Sequence, residues 1–565
     1  MKRNARLAEL GTCLALLAIF TALVIGEASH QSATVDEFHL VPQALALRET
    51  GDLELGYKTP PLLKRWIALA LPAARLDPAD MLVEGRPAAE GWSPWIFGTR
   101  FMLRNAAEYE RIFFRARIAM LPLAWMLGLA IYFWARAVGG RAAGLCALGI
   151  FAFSPEMIAF SSLVSLDLAV TALATGALSL LRGALRGRRA GLFLAACALF
   201  GLGLATKLSL LTLAPLFLLP LLLARGGRER ARQAAFLALG AGVALLLLDA
   251  SYGFDRPLPR LRDLEPRSRT FRTIRAWAPD GLRLPAPLLW LRALDGQAAD
   301  VQAADVPSYL NGEWSDRGFR RYYLMAWLYK TPLALLALVA FSAALALLDR
   351  GRARAPAPPP DALPGWLDAL LIGGPILLWG ASFSLAGGLN IGIRYVLPCY
   401  ACGAVALGVA LARVPPRRLA AACAGGLFLA YAASSLAAFP HHLAYFNRIA
   451  GGERGAYRHL VDSNLDWGQE LKHLSRYLRE RKIERVGLGY FGHVAPELYG
   501  IDYFLPGPEP APGWYAVSAN FIAGYPYLVY DHGQLRPVGP ERFRAFSRLE
   551  PVDTLAGAIL IYRVP

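Results

Sequence analysis

Long apolar runs alternate with short basic segments through most of the chain. Each run approaches the roughly 20 residues that a helix needs to cross a bilayer. The first run has no convincing small-residue cleavage site, so we interpret it as a retained anchor rather than a signal peptide. The pattern predicts about eleven membrane-spanning helices, at residues 10–27, 113–134, 142–160, 162–181, 190–206, 208–224, 233–250, 325–348, 366–386, 392–412 and 417–438.

The short connections carry a charge bias that orients these helices. Of the 565 residues 56% are hydrophobic, and the net charge is +17. Because Lys and Arg gather in cytoplasmic loops, the bias predicts a cytoplasmic N-terminus and, with eleven crossings, places every Arg-rich connection inside. Topology accounts for the positive charge, and nucleic-acid binding is not indicated. The basic residues are Arg136, Arg141, Arg182, Arg186, Arg188, Arg189, Arg225, Arg228, Arg230, Arg232, Arg350, Arg352, Arg354, Arg413, Arg417 and Arg418, with a Pro-rich linker from Ala355 to Pro364.

Three large segments then lie outside, at residues 28–112, 251–324 and 440–565. The first contains an apolar stretch, Pro60 to Leu71, with basic residues and Trp66, which predicts a helix at the membrane interface. The third mixes helical periodicity with strand-like runs and predicts a small extracytoplasmic α/β domain after a transmembrane domain of residues 1–439. Its predicted elements are a helix start at Ser463–Asp466, a helix over 467–481, and strands at 483–490, 514–518 and 558–564.

Charged side chains gather on the predicted outer face, at the ends of spans. Each has a plain structural alternative: Asp36 or Asp167 can cap a helix, and a single Lys or Arg can extend its charge toward the interface. Lys and Arg tend to lie on the cytoplasmic side, so cations on the outer side are unusual. This weakens the structural alternative for the basic residues. The carboxylates are Asp36, Glu37, Glu156 and Asp167, and the cations are Lys207, Lys330 and Arg394.

This combination of charges fits one kind of chemistry. Cations at the interface can hold a phosphate whose lipid tail lies in the bilayer. A neighbouring carboxylate can take the proton of an attacking hydroxyl, and the phosphate leaves with its charge neutralised. The residues therefore predict sugar transfer from a polyprenyl-phosphate sugar to an acceptor on the outer face.

Several motifs resemble one family throughout the chain. They are Asp36-Glu37, Pro60-Pro61-Leu62, Ser165-Leu166-Asp167, Lys330-Thr331-Pro332-Leu333, Gly392-Ile393-Arg394-Tyr395-Val396-Leu397-Pro398 and Asp462-Ser463-Asn464-Leu465-Asp466-Trp467-Gly468-Gln469. Their order resembles the lipid-carrier-dependent GT-C glycosyltransferases, in particular the protein O-mannosyltransferase-like family 39, with the aminoarabinose transferases as cousins. The resemblance implies an integral protein of a bacterial-type plasma membrane that transfers a mannose-like sugar with inversion to a protein, lipid or glycan.

The resemblance also implies roles for particular residues. Asp36 corresponds to the general base, Glu37 to its acidic neighbour and Asp167 to the second acidic loop. For the donor phosphate, the outer-face position favours Arg394, Lys330 and Lys207, and the resemblance adds Lys58. Candidates for acceptor binding or support are Glu156, His39 and Trp467. Relatives carry His or Lys directly before Pro-Pro-Leu, whereas Thr59 intervenes here, so Lys64 competes with Lys58. No cofactor is implied with certainty, although His39 and its neighbouring carboxylates are ligand types that a divalent metal accepts.

Two other functions are compatible with a polytopic chain. A transporter or lipid flippase would place polar or broken spans near the bilayer midplane, in matching halves. Here the charges sit at span ends, and no internal repeat is visible. A non-catalytic scaffold that presents the tail domain would not need acids and cations on one face. The sequence therefore favours a membrane glycosyltransferase.

The predicted topology can be tested by cysteine labelling in intact cells. Single cysteines beside Arg186, Arg228 and Arg417 should react with a membrane-impermeant reagent only after lysis. A cysteine after Pro440 should react before lysis. Labelling of the tail only after lysis would contradict both the topology and an outer-face site.

Overall fold

The computed structural model describes residues 2–77, 93–187, 189–303, 307–348, 365–386, 390–414 and 418–565. Part of the first outer segment and the Pro-rich linker from Ala355 to Pro364 lie outside these ranges, as do Arg188, Arg350, Arg352, Arg354 and Arg417.

The chain is mainly helical, and its long apolar helices make it an integral membrane protein. By length and composition, seven helical segments in the described ranges can cross a membrane, and an eighth if one bent pair counts as a single span. The seven segments are Arg3–His30, Tyr109–Ala152, Leu166–Gly187, Gly227–Ser251, Trp366–Leu385, Ile393–Leu411 and Arg418–Ala437.

One of these segments contains a helical hairpin. Within the helix Leu121–Ala152 the backbone turns at Gly140, which has φ 83° and ψ −171° and so favours glycine. A Cβ on Gly128 would lie 2.8 Å from the Phe151 ring, and one on Gly144 would lie 3.0 Å from the Tyr132 ring. Residues so far apart in sequence cannot touch along one straight helix. The two helical arms of the hairpin, on either side of Gly140, correspond to the predicted spans 113–134 and 142–160.

The predicted total of eleven spans is not confirmed. The predicted spans at 190–206 and 208–224 are a short helix, Ala190–Leu204, a 3₁₀ segment, Leu208–Leu218, and the turn Leu219–Leu222. The predicted span at 325–348 is the bent pair: helices Tyr322–Lys330 and Leu333–Leu348 meet at 108°. Pro332 at this junction lacks the N–H that a continuous helix requires.

Shorter helices connect the long ones. The stretch predicted as an interface helix forms the helix Pro61–Ala68, which begins directly after Pro60. The other connecting elements before the tail are the helices Val35–Thr50, Pro94–Arg104, Pro155–Ser161, Arg269–Trp277 and Leu288–Ala303 and the 3₁₀ turn Leu261–Asp263. One hairpin pairs the strands Ser308–Leu310 and Glu313–Ser315. Two candidate spans are themselves divided, into Tyr109–Ile118 and Leu121–Ala152, and into Ile393–Val396 and Leu397–Leu411.

The tail contains a small mixed sheet, as expected for an α/β region. Its five strands are ordered Asp502–Phe504, Arg485–Gly489, Gly513–Ser518, Ile559–Val564 and Asp553–Leu555. The first three run parallel, and the last two add antiparallel. Strands Tyr527–Asp531 and Gln534–Val538 form a separate hairpin.

The stretch before the tail helix differs from its prediction. The helix runs from Leu471 to Glu480, so Ser463–Asp466 is not its start. Instead, Asp462–Asn464 forms a 3₁₀ turn, and Gly468 has φ 91°. A Cβ at Gly468 would lie 2.8 Å from the Tyr490 hydroxyl, so glycine suits this turn on both counts. The irregular backbone leaves its polar groups free to bond other parts of the chain.

Candidate functional site

An ion pair between Asp36 and Arg394 forms the centre of the site. Asp36 lies in the first turn of the helix Val35–Thr50, and Arg394 lies in the 3₁₀ turn Ile393–Val396. Arg394 Nη1 donates to Asp36 Oδ2 at 2.5 Å. Burial disfavours the charged carboxylate, but the guanidinium outweighs it and holds the pKa of Asp36 below its usual range. Asp36 is therefore ionised and 26% exposed, so it remains open to a ligand.

Asp167 and Lys207 join the same group. Asp167 Oδ2 lies 3.9 Å from Arg394 Nη1, and its other oxygen accepts a hydrogen bond from Lys207 Nζ. Asp167 begins the helix Leu166–Gly187, and Lys207 precedes the 3₁₀ segment Leu208–Leu218. The structure thus brings together four of the residues that the sequence singled out, two acids and two cations.

Aromatic rings surround the two cations. The Arg394 guanidinium lies 4.3 Å from the Trp467 ring centroid, and Lys207 Nζ lies 4.4 Å from that of Tyr395. Ring faces attract cations and limit their access to water. Arg394 Nε is buried and has no hydrogen-bond partner among the described residues. The described residues therefore leave one donor of the guanidinium unused.

The tail segment 462–469, which we call the clamp, bonds to the chain just before Asp36. The backbone N–H of Val35 donates to the Trp467 carbonyl, and that of Ser32 donates to the Gln469 carbonyl, each at 3.0 Å. The Ser32 hydroxyl donates to the Gly468 carbonyl at 2.8 Å. These bonds fix the start of the helix that carries Asp36.

The clamp also bonds to the turn that carries Arg394. The Ile393 N–H donates to the Asn464 side-chain oxygen at 2.8 Å, and the Ser463 hydroxyl donates to the Ile391 carbonyl at 3.1 Å. Asn464 in turn donates to the Tyr322 hydroxyl. One tail segment therefore holds both sides of the Asp36–Arg394 pair.

Glu37 does not join the carboxylates around Arg394. It is fully buried, and Arg117 donates to its two oxygens at 2.8 and 2.6 Å. The Val164 N–H and the Thr34 N–H and hydroxyl bond it as well. Thr34, rather than Asp36, is the N-cap of this helix. These contacts fit a structural role for Glu37, which differs from the predicted role as the acidic neighbour of the catalytic base.

Lys330 and Glu156 form a second buried pair, away from the contacts of Arg394. Lys330 Nζ lies 3.4 Å from Glu156 and donates to the carbonyls of Leu443 and Asn464 at 2.7 and 2.6 Å. Two backbone carbonyls and the Glu156 carboxylate thus surround its ammonium group, so the structure does not bring Lys330 to the predicted phosphate site. It anchors the clamp instead.

The two lysines near Pro60 are also placed apart from Arg394. Lys58 pairs with Asp300 at 2.8 Å and is 47% exposed. Lys64 is buried and donates to the carbonyls of Leu55 and Gly56. Burial lowers the pKa of Lys64 to about 7. Neither lysine contacts the Asp36–Arg394 pair.

His39 lies one helical turn after Asp36. Its Nδ1 is 3.1 Å from the Gln43 amide, and its ring meets the edge of Trp95. Burial lowers the pKa of His39 to about 4, so the ring is neutral near pH 7. Because Glu37 points to Arg117, the described residues do not bring Asp36, Glu37 and His39 together as a metal site.

The sequence interpretation missed some residues that build the site. Arg117, a basic residue at the outer end of a predicted span, carried the same signal as Lys207 but was not selected. Tyr395 belongs to the motif Gly392 to Pro398. Only the structure shows that its ring contacts both Lys207 and Arg394.

An apolar cavity of about 660 Å³ opens between the membrane helices. Val396, two residues from Arg394, is one of its lining residues. Others include Met157, Trp327, Cys399 and Tyr400. The cavity therefore borders the turn that holds Arg394.

Comparison with known proteins adds a family match. Residues 92–251 match the model of the dolichyl-phosphate-mannose-protein mannosyltransferase family. The GT-C resemblance is confirmed. The matched segment contains Asp167 and Lys207 of the site, whereas Asp36, Arg394 and Trp467 lie outside it. The match covers less than half of the chain and leaves the sugar open.

Two solved structures are similar to this chain over most of its length. ArnT from Cupriavidus metallidurans bound to undecaprenyl phosphate is 13% identical, with 93% of this chain and 97% of that chain covered and a TM-score of 0.46. The oligosaccharyltransferase AglB from Archaeoglobus fulgidus, in complex with an inhibitory peptide and a dolichol-phosphate, is 11% identical, with 93% and 74% covered and a TM-score of 0.42. No curated protein sequence matches the chain.

The support role of Glu37 predicts a loss of stability in Glu37→Gln. The change removes the charge that compensates the buried Arg117, and breaking such a pair typically costs about 3–5 kcal/mol. The midpoint of thermal unfolding in detergent should fall clearly. Glu49→Gln is the control, because that glutamate forms an exposed pair with Arg48 and should contribute at most about 1 kcal/mol. Equal midpoints for the two variants would contradict the support role.

Proposed function

We propose that the protein transfers a sugar from a polyprenyl-phosphate carrier to an acceptor hydroxyl. The observation that carries the proposal is the grouping of Arg394 and Lys207 with Asp36 and Asp167 beside an apolar cavity. The description of the matching family names mannose, and a mannose-like sugar is therefore the first donor to test.

The donor phosphate is proposed to bind at Arg394. The buried Nε is an unused donor, and a guanidinium can bind two phosphate oxygens with parallel hydrogen bonds. Lys207 adds a second positive charge next to Asp167. Together these cations can neutralise the phosphate as it leaves.

The lipid tail is proposed to occupy the apolar cavity. Val396 links the cavity to the turn that carries Arg394, so a phosphate at the guanidinium can have its chain in the membrane region. The volume of about 660 Å³ suits the first part of a long isoprenoid chain, and the rest can lie among lipids.

Asp36 is proposed as the general base. The acceptor oxygen attacks the anomeric carbon, the bond from that carbon to the phosphate oxygen breaks, and polyprenyl phosphate leaves with the electron pair. The acceptor proton passes to an Asp36 oxygen. One displacement of this kind inverts the anomeric configuration.

Donor binding is proposed to strengthen this base. In the present structure Arg394 is paired with Asp36 and lowers its pKa. A phosphate that takes over the guanidinium draws it away from Asp36. With less positive charge bonded to it, the carboxylate regains a pKa nearer its usual value and accepts a proton more readily.

The reaction is proposed to take place on the outer face of a bacterial-type plasma membrane. The charge bias of the short loops supports this orientation. Residues 440–565 then form an extracytoplasmic unit whose clamp holds the site. A protein, lipid or glycan hydroxyl can reach Asp36, because that side chain is partly exposed.

Asp36→Asn should reduce turnover by roughly 10²–10⁴ at saturating donor, since asparagine keeps the shape but is not basic. Purified protein would be given labelled polyprenyl-phosphate sugars and a mixed pool of peptide, lipid and glycan acceptors. Donor binding should persist or tighten, because the change frees Arg394. Asp300→Asn is a matched control, because it alters a surface carboxylate that pairs with Lys58.

Two outcomes would count against the proposal. Wild-type protein that transfers no sugar from any donor in this panel would contradict the proposed activity. Near-normal turnover of Asp36→Asn would leave the activity in place but remove Asp36 as the base, and Asp167 would be the next carboxylate to substitute.

A further inference from the structure

A cluster of histidine and glutamate lies apart from the contacts of Arg394. His441 follows the last membrane helix, Arg418–Ala437, while Glu470 and His473 begin the tail helix Leu471–Glu480. His441 Nδ1 lies 3.1 Å from one oxygen of Glu470, and His473 Nδ1 lies 2.7 Å from the other. Glu470 and His473 are three residues apart, so they share one face of the helix start.

Zn²⁺ fits the spacing of these groups. One potential ligand atom from each side chain lies within 4.8 Å of the other two. Tetrahedral zinc with ligands at about 2.0–2.2 Å separates those ligands by about 3.3 Å. The separation of 3.1 Å is close to this value, whereas that of 2.7 Å, to the other oxygen of Glu470, is shorter. The side chains would therefore have to move apart slightly to hold the ion.

Hydrogen bonds alone do not balance the negative charge that Glu470 brings to this cluster. Glu470 is fully buried, and its only ion-pair partners in the described ranges are the two histidines. A buried carboxylate needs a compensating positive charge, which a bound cation or a protonated ring can supply. In addition, His473 Nε2 is buried and has no hydrogen-bond partner among the residues that the structure describes.

We propose that His441, Glu470 and His473 bind a divalent transition metal, with Zn²⁺ the best match. Two imidazoles and one carboxylate supply three ligands, and water can take the fourth position. The His441 side chain is 27% exposed, which gives both the ion and the water a path. His30 stacks on His473 at 6.1 Å, but its Nδ1 already contacts the Gly26 carbonyl.

The surrounding contacts give the metal a structural role. His442, next to His441, is paired with the buried Glu27 of the first helix and contacts the Ser435 carbonyl. Glu470 directly follows the clamp, which ends at Gln469. A metal would therefore join the end of the last membrane helix to the segment that holds Asp36 and Arg394.

Metal binding can be tested on wild-type protein without an activity assay. Protein in detergent, with any polyhistidine tag removed, would be stripped with a chelator and dialysed against Zn²⁺ or Co²⁺. We expect one ion per chain by elemental analysis, visible absorption typical of four-coordinate Co²⁺, and a higher midpoint of thermal unfolding with Zn²⁺ than without metal.

Single ligand variants localise the ion. Loss of a residue that only supports a metal ligand commonly weakens metal binding by about 10–100-fold. Because His441 and His473 are proposed as direct ligands, His441→Ala and His473→Ala should each weaken Zn²⁺ binding by at least about 100-fold. His532→Ala is the control, because that histidine pairs with Glu497 on the surface of the tail. It should bind Zn²⁺ as the wild type does.

The competing explanation is that a protonated histidine compensates Glu470. It predicts no stoichiometric metal and the same unfolding midpoint with and without Zn²⁺, and either result in wild-type protein would overturn the proposal. Full Zn²⁺ affinity in folded His473→Ala would overturn it as well. Because these measurements do not involve sugar transfer, the metal site can fail while the proposed function stands, and the reverse also holds.

Discussion

A buried guanidinium needs negative charge around it, and the site is built to supply that charge to Arg394. The side chain is 9% exposed, at the start of a membrane helix. Asp36 and Asp167 provide the charge from the first turns of two different helices, and Trp467 covers one face of the guanidinium. The position of each group depends on the others, because removing either acid would leave a cation partly uncompensated in a low-dielectric region.

The clamp explains how distant parts of the chain maintain this arrangement. Segment 462–469 bonds to residues 32–35 on one side and to residues 391–393 on the other. Lys330 binds the carbonyl of Asn464 and pairs with Glu156. The tail is thus more than an appended unit, because its first irregular segment holds the acid and the cation at their observed separation.

Sequence patterns predicted the class of the fold and the charged residues of the site, but not which of those residues would meet. Asp36 and Glu37 are neighbours, yet successive residues on a helix point about 100° apart. One therefore faces Arg394 and the other faces Arg117. A cation at the outer end of a span can equally meet a ligand, as proposed for Lys207, or internal carbonyls, as Lys330 does. Only the packing distinguishes these cases.

Long-range contacts account for the other differences. The bonds from the clamp to Ser32 span more than four hundred residues, and no local periodicity reveals them. The helical start predicted for this stretch followed from its residue types, whereas its tertiary bonds favour an irregular backbone. Similarly, hydropathy alone predicted full spans at 190–206 and 208–224, where the structure has a short helix and a 3₁₀ segment with Pro215 inside.

The central claim is that Arg394 recognises a lipid-linked phosphate. The most direct measurement compares binding of undecaprenyl phosphate and undecaprenol, which lacks the phosphate, to wild-type protein and to Arg394→Ala in detergent. We expect wild type to prefer the phosphate clearly, and Arg394→Ala, while still folded, to lose most of that preference yet keep its affinity for the alcohol. An unchanged preference in Arg394→Ala would contradict the account.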